Sequence, residues 1–212
     1  MDGIVHFWLF VGAVMLLNAT PGPDTAYIVG RSIAQGRRAG MLSALGISLG
    51  CIVHSLACAI GLTALLAASP TAFDVIKWLG AAYLVYLGVR LLFARVEPAD
   101  ADQGGRAGRL LGDRQLVMQG FATNVLNPKV ILFFVSFFPQ FVEPASSQRV
   151  LAFLLLGACF VLMSTVWNIG VAWIAGTVTR RLAGKPQFKR WTNRVVGAAF
   201  IALGARLATA AR

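Results

Sequence analysis

Three stretches of this chain contain no Asp, Glu, Lys or Arg at all: residues 39–73, 150–179 and 3–23. Each reaches the roughly 20 residues that a helix needs to cross the hydrocarbon core of a bilayer. Lipid offers no partner to backbone N–H and C=O groups, so such a segment is constrained to be helical. Shorter apolar stretches at about 75–93, 115–142 and 191–208 complete a set of six. Arg90 and Arg206, near the ends of two of them, can snorkel to the interface. With 58% apolar and 13% charged residues and a mean hydropathy of +0.73, the 212-residue chain is too apolar for a soluble domain. The expected fold is an all-α integral membrane protein with six transmembrane helices.

The segments between these stretches are short. Ser69-Pro70 separates spans two and three, Pro144-Ala-Ser-Ser separates four and five, and the longest polar linker covers about 94–113. No extramembrane part is large enough to fold alone, so residues 1–212 read as a single transmembrane domain. The first residues, Met-Asp-Gly-Ile-Val-His, lack a positive leader, and the first span is expected to be retained. The net charge of +11 is a topology signal rather than a nucleic-acid footprint. Arg31, Arg37, Arg38, Arg90, Arg95, Arg106, Arg109, Arg114, Arg180, Arg181, Lys185, Lys189, Arg190 and Arg194 share one side of a six-span layout. Only Lys77, Arg149, Arg206 and Arg212 fall on the other. Positive charge stays cytoplasmic, so both termini are expected outside the cytoplasm. The basic face also suits anionic lipid.

The chain repeats itself. Gly80–Leu91 reads GAAYLVYLGVRL and Gly197–Leu207 reads GAAFIALGARL, matching with one single-residue gap. Asn-x-x-Pro in the first span recurs loosely as Asn-x-x-Asn-Pro in the fourth. This suggests two three-span halves, about 1–95 and 110–212, joined by the 94–113 linker. Three is odd, so the second half is threaded with the opposite orientation, an inverted-topology repeat typical of alternating-access transporters.

Only two full charges lie deep in the apolar segments, and both follow prolines. Asp24 ends Asn18-Ala-Thr-Pro-Gly-Pro-Asp24, and Lys129 ends Asn124-Val-Leu-Asn-Pro-Lys129. A charge at mid-bilayer costs on the order of 3 kcal/mol on insertion scales, so it is kept for a partner or a task. Pro21 and Pro23 are expected to break the first span and Pro128 the fourth. Each break frees carbonyls and opens a half-helix N-terminus. With Asn18, Thr20, Gly22, Asn124 and Asn127, such breaks suit a small zwitterion. Backbone N–H groups and Lys129 would hold a carboxylate, and Asp24 with carbonyls an ammonium group. The plainer alternative is a pair of proline kinks tethered by an Asp24–Lys129 ion pair.

Other residues are less specific. Asp24 is a candidate proton carrier, and His54, midway along the second span, is either a hydrogen-bonded helix residue or a proton relay. Asn168 beside Trp167 either lines the same cavity or hydrogen-bonds between helices, the latter being simpler. Gly46-Ile-Ser-Leu-Gly50 is a G-x-x-x-G that lets another helix approach closely. Cys51, Cys58 and Cys159 form no C-x-x-C and read as packing residues. Neither a nucleophile–base set, nor paired cysteines, nor a His/Cys/carboxylate cluster is evident. An intramembrane enzyme, a redox carrier, a metal exporter and a cofactor are therefore not expected. A small-solute or cation exporter and a passive channel remain alternatives.

Asn18-Ala-Thr-Pro-Gly-Pro-Asp24, together with Gly120-Phe-Ala-Thr-Asn-Val-Leu-Asn-Pro-Lys129 and Phe137-Phe-Pro-Gln-Phe141, closely resembles the LysE/RhtB family of bacterial amino-acid exporters. The resemblance extends to chain length, hydrophobic spacing and the Tyr-Leu-x-Tyr-Leu-Gly of the third span. It implies a bacterial inner-membrane efflux carrier for amino acids or close derivatives, driven by proton antiport. Carried over by motif, it implies a substrate pathway of Asn18, Pro21, Gly22, Pro23, Asp24, Asn127, Pro128 and Lys129. A homodimer is suggested by the small size and Gly-rich faces alone.

Overall fold

The computed structural model describes residues 3–62, 110–143 and 145–177, together with isolated positions between 75 and 93 and at 198 and 201. Its helices are α1 (Phe7–Ala19), α2 (Pro23–Gln35), α3 (Arg37–Ala57), α4 (Asp113–Val125), α5 (Pro128–Leu132) and α6 (Arg149–Thr177). A π-helical turn, Cys58–Leu62, prolongs α3. Beyond α5 the chain tightens through a π-helical turn, Phe133–Phe137, and a 3-10 turn, Phe138–Phe141.

Two spans expected from the sequence appear unbroken. Arg37–Gly61 and Arg149–Thr177 are long and apolar enough to cross a membrane, and the 29 residues of α6 reach roughly 43 Å. The fourth span is also present, bent by 47° between Asp113–Val125 and Pro128–Phe141. The first enters as two 13-residue helices, α1 and α2, on either side of Thr20-Pro21-Gly22. The third and sixth spans, and with them the Gly80–Leu91 and Gly197–Leu207 match, lie almost wholly outside the described residues. The six-span count and the two-half layout remain sequence readings.

Both breaks follow from local chemistry. Thr20 precedes Pro21 and takes the extended conformation that a following proline imposes, with φ −74° and ψ 120°. Pro23 then opens α2 at its first position, where its missing N–H costs nothing. Asn127 and Pro128 repeat the device: the Asn127 side chain accepts from the Lys129 N–H at 3.1 Å and caps α5. The prolines thus start new helices and do not kink continuous ones. Between α2 and α3 the chain reverses at Gly36, whose φ of 85° is open to glycine at little cost.

The two broken helices run antiparallel with their breaks side by side. At one end of α5 the Lys129 ammonium reaches the last carbonyls of α1. Past the 3-10 turn that follows α5, the Val5 N–H donates to the Phe141 carbonyl at 2.9 Å and Ile4 bridges Val142. α2 and α4 pair likewise. Tyr27 donates to the Leu116 carbonyl at 3.1 Å, Arg31 to the Gln119 side chain at 3.3 Å, and Gln35 to the Leu111 carbonyl at 3.1 Å. An antiparallel pair of this kind is what an inverted repeat requires of its first and fourth spans.

Arg31, near the end of α2, is buried, with its guanidinium over the Tyr27 ring and bonded to Gln35 and Gln119. Partners contributed by α4 make that burial tolerable.

Two kinds of packing enclose the breaks. Beyond them, Phe10, Phe133, Phe134, Phe137, Phe138, Phe141, Phe153 and Phe160 form a buried aromatic cluster. Many of its contacts are edge-to-face, such as Phe134 against Phe160 at 4.7 Å and 68°. On the other side α3 crosses α4 backbone to backbone. A Cβ at Gly46 would collide with the Val117 carbonyl, and one at Gly120 would sit 2.5 Å from the Ser43 carbonyl. The G-x-x-x-G does bring a helix close, and that helix is α4.

Candidate functional site

Between the breaks lies a cavity walled by α1, α2, α3, α4, α5 and α6. Its lining includes Asn18, Gly22, Asp24, Asn124, Asn127 and Lys129 from the sequence-expected set. It also includes Leu17, Thr25, Ile47, Cys51, Val130, Phe160, Ser164 and Asn168. About 30 Å³ is open to water centres, room for roughly two waters.

The two deep charges do not form an ion pair. Among the described residues the one ion pair is Arg38–Asp113, on the surface. The Lys129 ammonium instead donates to the Leu17 and Thr20 carbonyls, at 2.7 Å each. Both carbonyls belong to the end of α1, where Pro21 has no N–H to continue the ladder; the Leu17 carbonyl also accepts the Thr20 N–H at 3.2 Å. The cation also sits at the negative end of the α1 dipole, which favours it further. Asp24 is held from elsewhere: Asn124 Nδ2 donates to its Oδ2 at 2.7 Å. The tethering alternative is therefore half right. Lys129 does tie α5 to α1, but through backbone carbonyls and not through Asp24.

Several polar atoms in this cavity are buried and have no partner: Asn18 Nδ2, Asp24 Oδ1, Asn124 Oδ1 and Ser164 Oγ. One further such atom among the described residues, Ser32 Oγ, is not part of the lining. Each unpaired group costs on the order of 1–3 kcal/mol. Their concentration in one cavity makes it the candidate functional site.

The sequence profile described as LysE type translocator matches residues 15–211. The chain belongs to the LysE family of translocators. A leucine efflux protein of Enterobacter sp. (strain 638) is 29% identical over 207 residues, covering 98% of this chain and 97% of its own. The leucine efflux protein of Salmonella typhimurium (strain LT2) is 27% identical over 209 residues, covering 98% and 96%. A membrane protein of Pseudomonas aeruginosa is 33% identical over 221 residues, covering 98% and 97%. No solved structure matches the chain.

The motif residues of the translocator divide by position. Asn18, Gly22, Asp24, Asn124, Asn127 and Lys129 meet at the cavity. Thr20, Pro21, Pro23 and Pro128 do not line it and shape the breaks instead. Thr20 donates to the Leu16 carbonyl at 2.7 Å, closing α1. His54 stands behind the wall, stacked on Phe134 at 5.5 Å, with Nε2 3.3 Å from the Asn124 carbonyl. That contact links it to Asp24 only through Asn124.

Two wall residues come from α6. For Asn168 the sequence favours the role of a helix-packing amide. The residue makes no side-chain hydrogen bond to another helix among the described residues and lines the cavity instead. Ser164 belongs to no motif in the sequence. The available signal was spacing: Ser164 and Asn168 are four apart on an apolar helix and so share one face. Of the cysteines, Cys51 and Cys58 are buried, and all three are free thiols. Cys51 also forms part of the cavity wall.

Proposed function

We propose that this translocator is a bacterial inner-membrane secondary carrier that exports an amino acid or a close derivative. Its substrate site is the cavity between the two helix breaks, and its coupling is by proton antiport. One observation carries the reading. Unpaired polar atoms of Asn18, Asp24, Asn124 and Ser164 converge on one cavity in a membrane protein whose relatives are named for leucine efflux. A cavity with one carboxylate, one ammonium and several amides complements a zwitterion in charge and hydrogen bonding. Leu17, Ile47, Val130 and Phe160 add an apolar wall suited to an aliphatic side chain.

With room for only a few waters, the cavity has to widen to admit an amino acid, as alternating access requires of an occluded state. Asp24 is the proton carrier in this scheme, releasing its proton when the substrate ammonium arrives. His54 stands one residue removed, as a secondary relay through Asn124. The asymmetry of basic residues sets both termini outside the cytoplasm.

Proteoliposomes loaded with a panel of amino acids test the proposal. Expected are efflux of at least one neutral amino acid, acceleration by an opposing proton gradient, and trans-stimulation by unlabelled substrate. A passive channel would show no trans-stimulation. Asp24→Asn is expected to abolish transport while eluting as the wild type does in gel filtration. Full transport by that variant would remove Asp24 from the mechanism.

A further inference from the structure

The candidate substrate cavity has a wall that neither broken helix supplies. Ser164 on α6 faces it, and the residue is 3% exposed. Its hydroxyl has no partner. A serine inside an apolar helix normally donates to the carbonyl one turn back. Ser43, Ser48 and Ser55 on α3 all do so, to the carbonyls of Ala39, Ala44 and Cys51. Ser164 makes no such bond, and its oxygen is left buried at the cavity.

Asp24 and Asn124 also line the cavity, and each carries an unpaired buried oxygen, Asp24 Oδ1 and Asn124 Oδ1. The Asn124 amide is oriented by its own bond, because Nδ2 donates to Asp24 Oδ2 and leaves Oδ1 as the free acceptor. Helix α3 fixes the depth of both walls. Ser48 bonds Thr165, the neighbour of Ser164, at 2.7 Å, while a Cβ at Gly50 would sit 2.5 Å from Asn124 Oδ1. Residues 48 and 50 are separated by about 3 Å of helical rise, so both contacts fall within one turn of α3.

We infer that Ser164 is a substrate-contacting residue, the third acceptor of a cradle that also comprises Asp24 Oδ1 and Asn124 Oδ1 and that takes the primary ammonium group of the substrate. A primary ammonium has three N–H donors, and the cradle offers three oxygens, one of them charged. The chain's own ammonium does not compete, since Lys129 is engaged by the Leu17 and Thr20 carbonyls. Asn18 Nδ2, an unpaired donor on the α1 side, is left for the carboxylate. The inference rests on the cavity being the substrate site and narrows its substrate class to amino acids with a primary amine. N-alkylated amino acids lose donors that the cradle is built to accept.

A chemical double-mutant cycle tests this in reconstituted full-length protein. Counterflow of labelled leucine is inhibited by unlabelled leucine or by N,N-dimethylleucine, which keeps one N–H, in wild type and in Ser164→Ala. In wild type the dimethyl compound is expected to bind at least about tenfold more weakly than leucine. Ser164→Ala is expected to weaken leucine by about tenfold while changing dimethylleucine by less than about twofold, so that the discrimination shrinks. Ser164→Thr, which restores a hydroxyl, is expected to recover leucine affinity. Equal weakening of both ligands would assign Ser164 to packing and overturn the inference, as would unchanged leucine affinity in Ser164→Ala. Absence of leucine counterflow in the wild type would overturn the choice of leucine-like substrates and the cradle with it. Transport insensitive to Asp24→Asn but sensitive to Ser164→Ala would overturn the function proposed for the cavity.

Discussion

Lys129 shows how a single residue reconciles a buried charge with a broken helix. A helix ending in the bilayer leaves carbonyls that neither lipid nor the next helix can satisfy. A lysine needs acceptors for its N–H donors at the same depth. Each solves the other's problem, and the 2.7 Å bonds to Leu17 and Thr20 are the result. Lys129→Met keeps the length of the stem but removes these donors. It is expected to lower stability by about 1.5–3 kcal/mol, the range for hydrogen bonds to charged groups, read as a lower midpoint of thermal unfolding in detergent. Because Asp24 and Lys129 are not an ion pair, adding Asp24→Asn to Lys129→Gln is expected to restore nothing. A double variant more stable than Lys129→Gln would revive the direct pair.

At the scale of elements, the crossing of α3 and α4 positions the site. Asn124 stands against Gly50, so the close approach of these helices sets where its amide lies. A Cβ at Gly46 collides with the backbone carbonyl of Val117, which has no rotamer by which to yield. Gly46→Ala is therefore expected to cost about 1–3 kcal/mol of stability. Gly12→Ala is the matched control: nothing lies within 4 Å of its added Cβ, and the change is expected to be neutral or stabilising by less than about 1 kcal/mol. Thermal unfolding of the two variants side by side checks the pair. Equal effects would mean that the crossing is not held by close packing at Gly46.

For the molecule as a whole, two antiparallel broken helices divide the interior into unlike ends. The α1 and α5 end is closed by the phenylalanine cluster and the Ile4–Val142 bridge. The α2 and α4 end is closed by polar bonds of Tyr27, Arg31, Gln35 and Gln119. Positive charge follows the second end: Arg37 and Arg38 begin α3, and Arg114 lies in the first turn of α4. Membrane topology predicts that the polar end faces the cytoplasm and that both chain termini are extracytoplasmic. Alkaline phosphatase fused to either terminus is then expected to be active, and a fluorescent protein that needs the cytoplasm to mature to be dark. The reverse pattern at both termini would invert the proposed direction of each half.

Much of this was legible in the sequence because its rules are local. A long charge-free stretch without proline favours a helix by its own composition, as residues 150–177 did in α6. A proline at the first position of a helix starts it by the chemistry of its own ring, so both breaks fell where Pro23 and Pro128 placed them. Choice of partner is not local. That Lys129 binds carbonyls 109 and 112 residues away, that Arg31 is buried against Gln119, and that Ser164 and Asn168 face the cavity depend on which helix faces meet. Side-chain hydrogen bonds discriminate among alternatives worth about 1 kcal/mol each, and only the packed arrangement selects among them. The described helices, the breaks and the family were thus legible in the sequence alone, while the partners of Lys129 and Arg31 and the set of residues that meet at the cavity were decided by the tertiary structure.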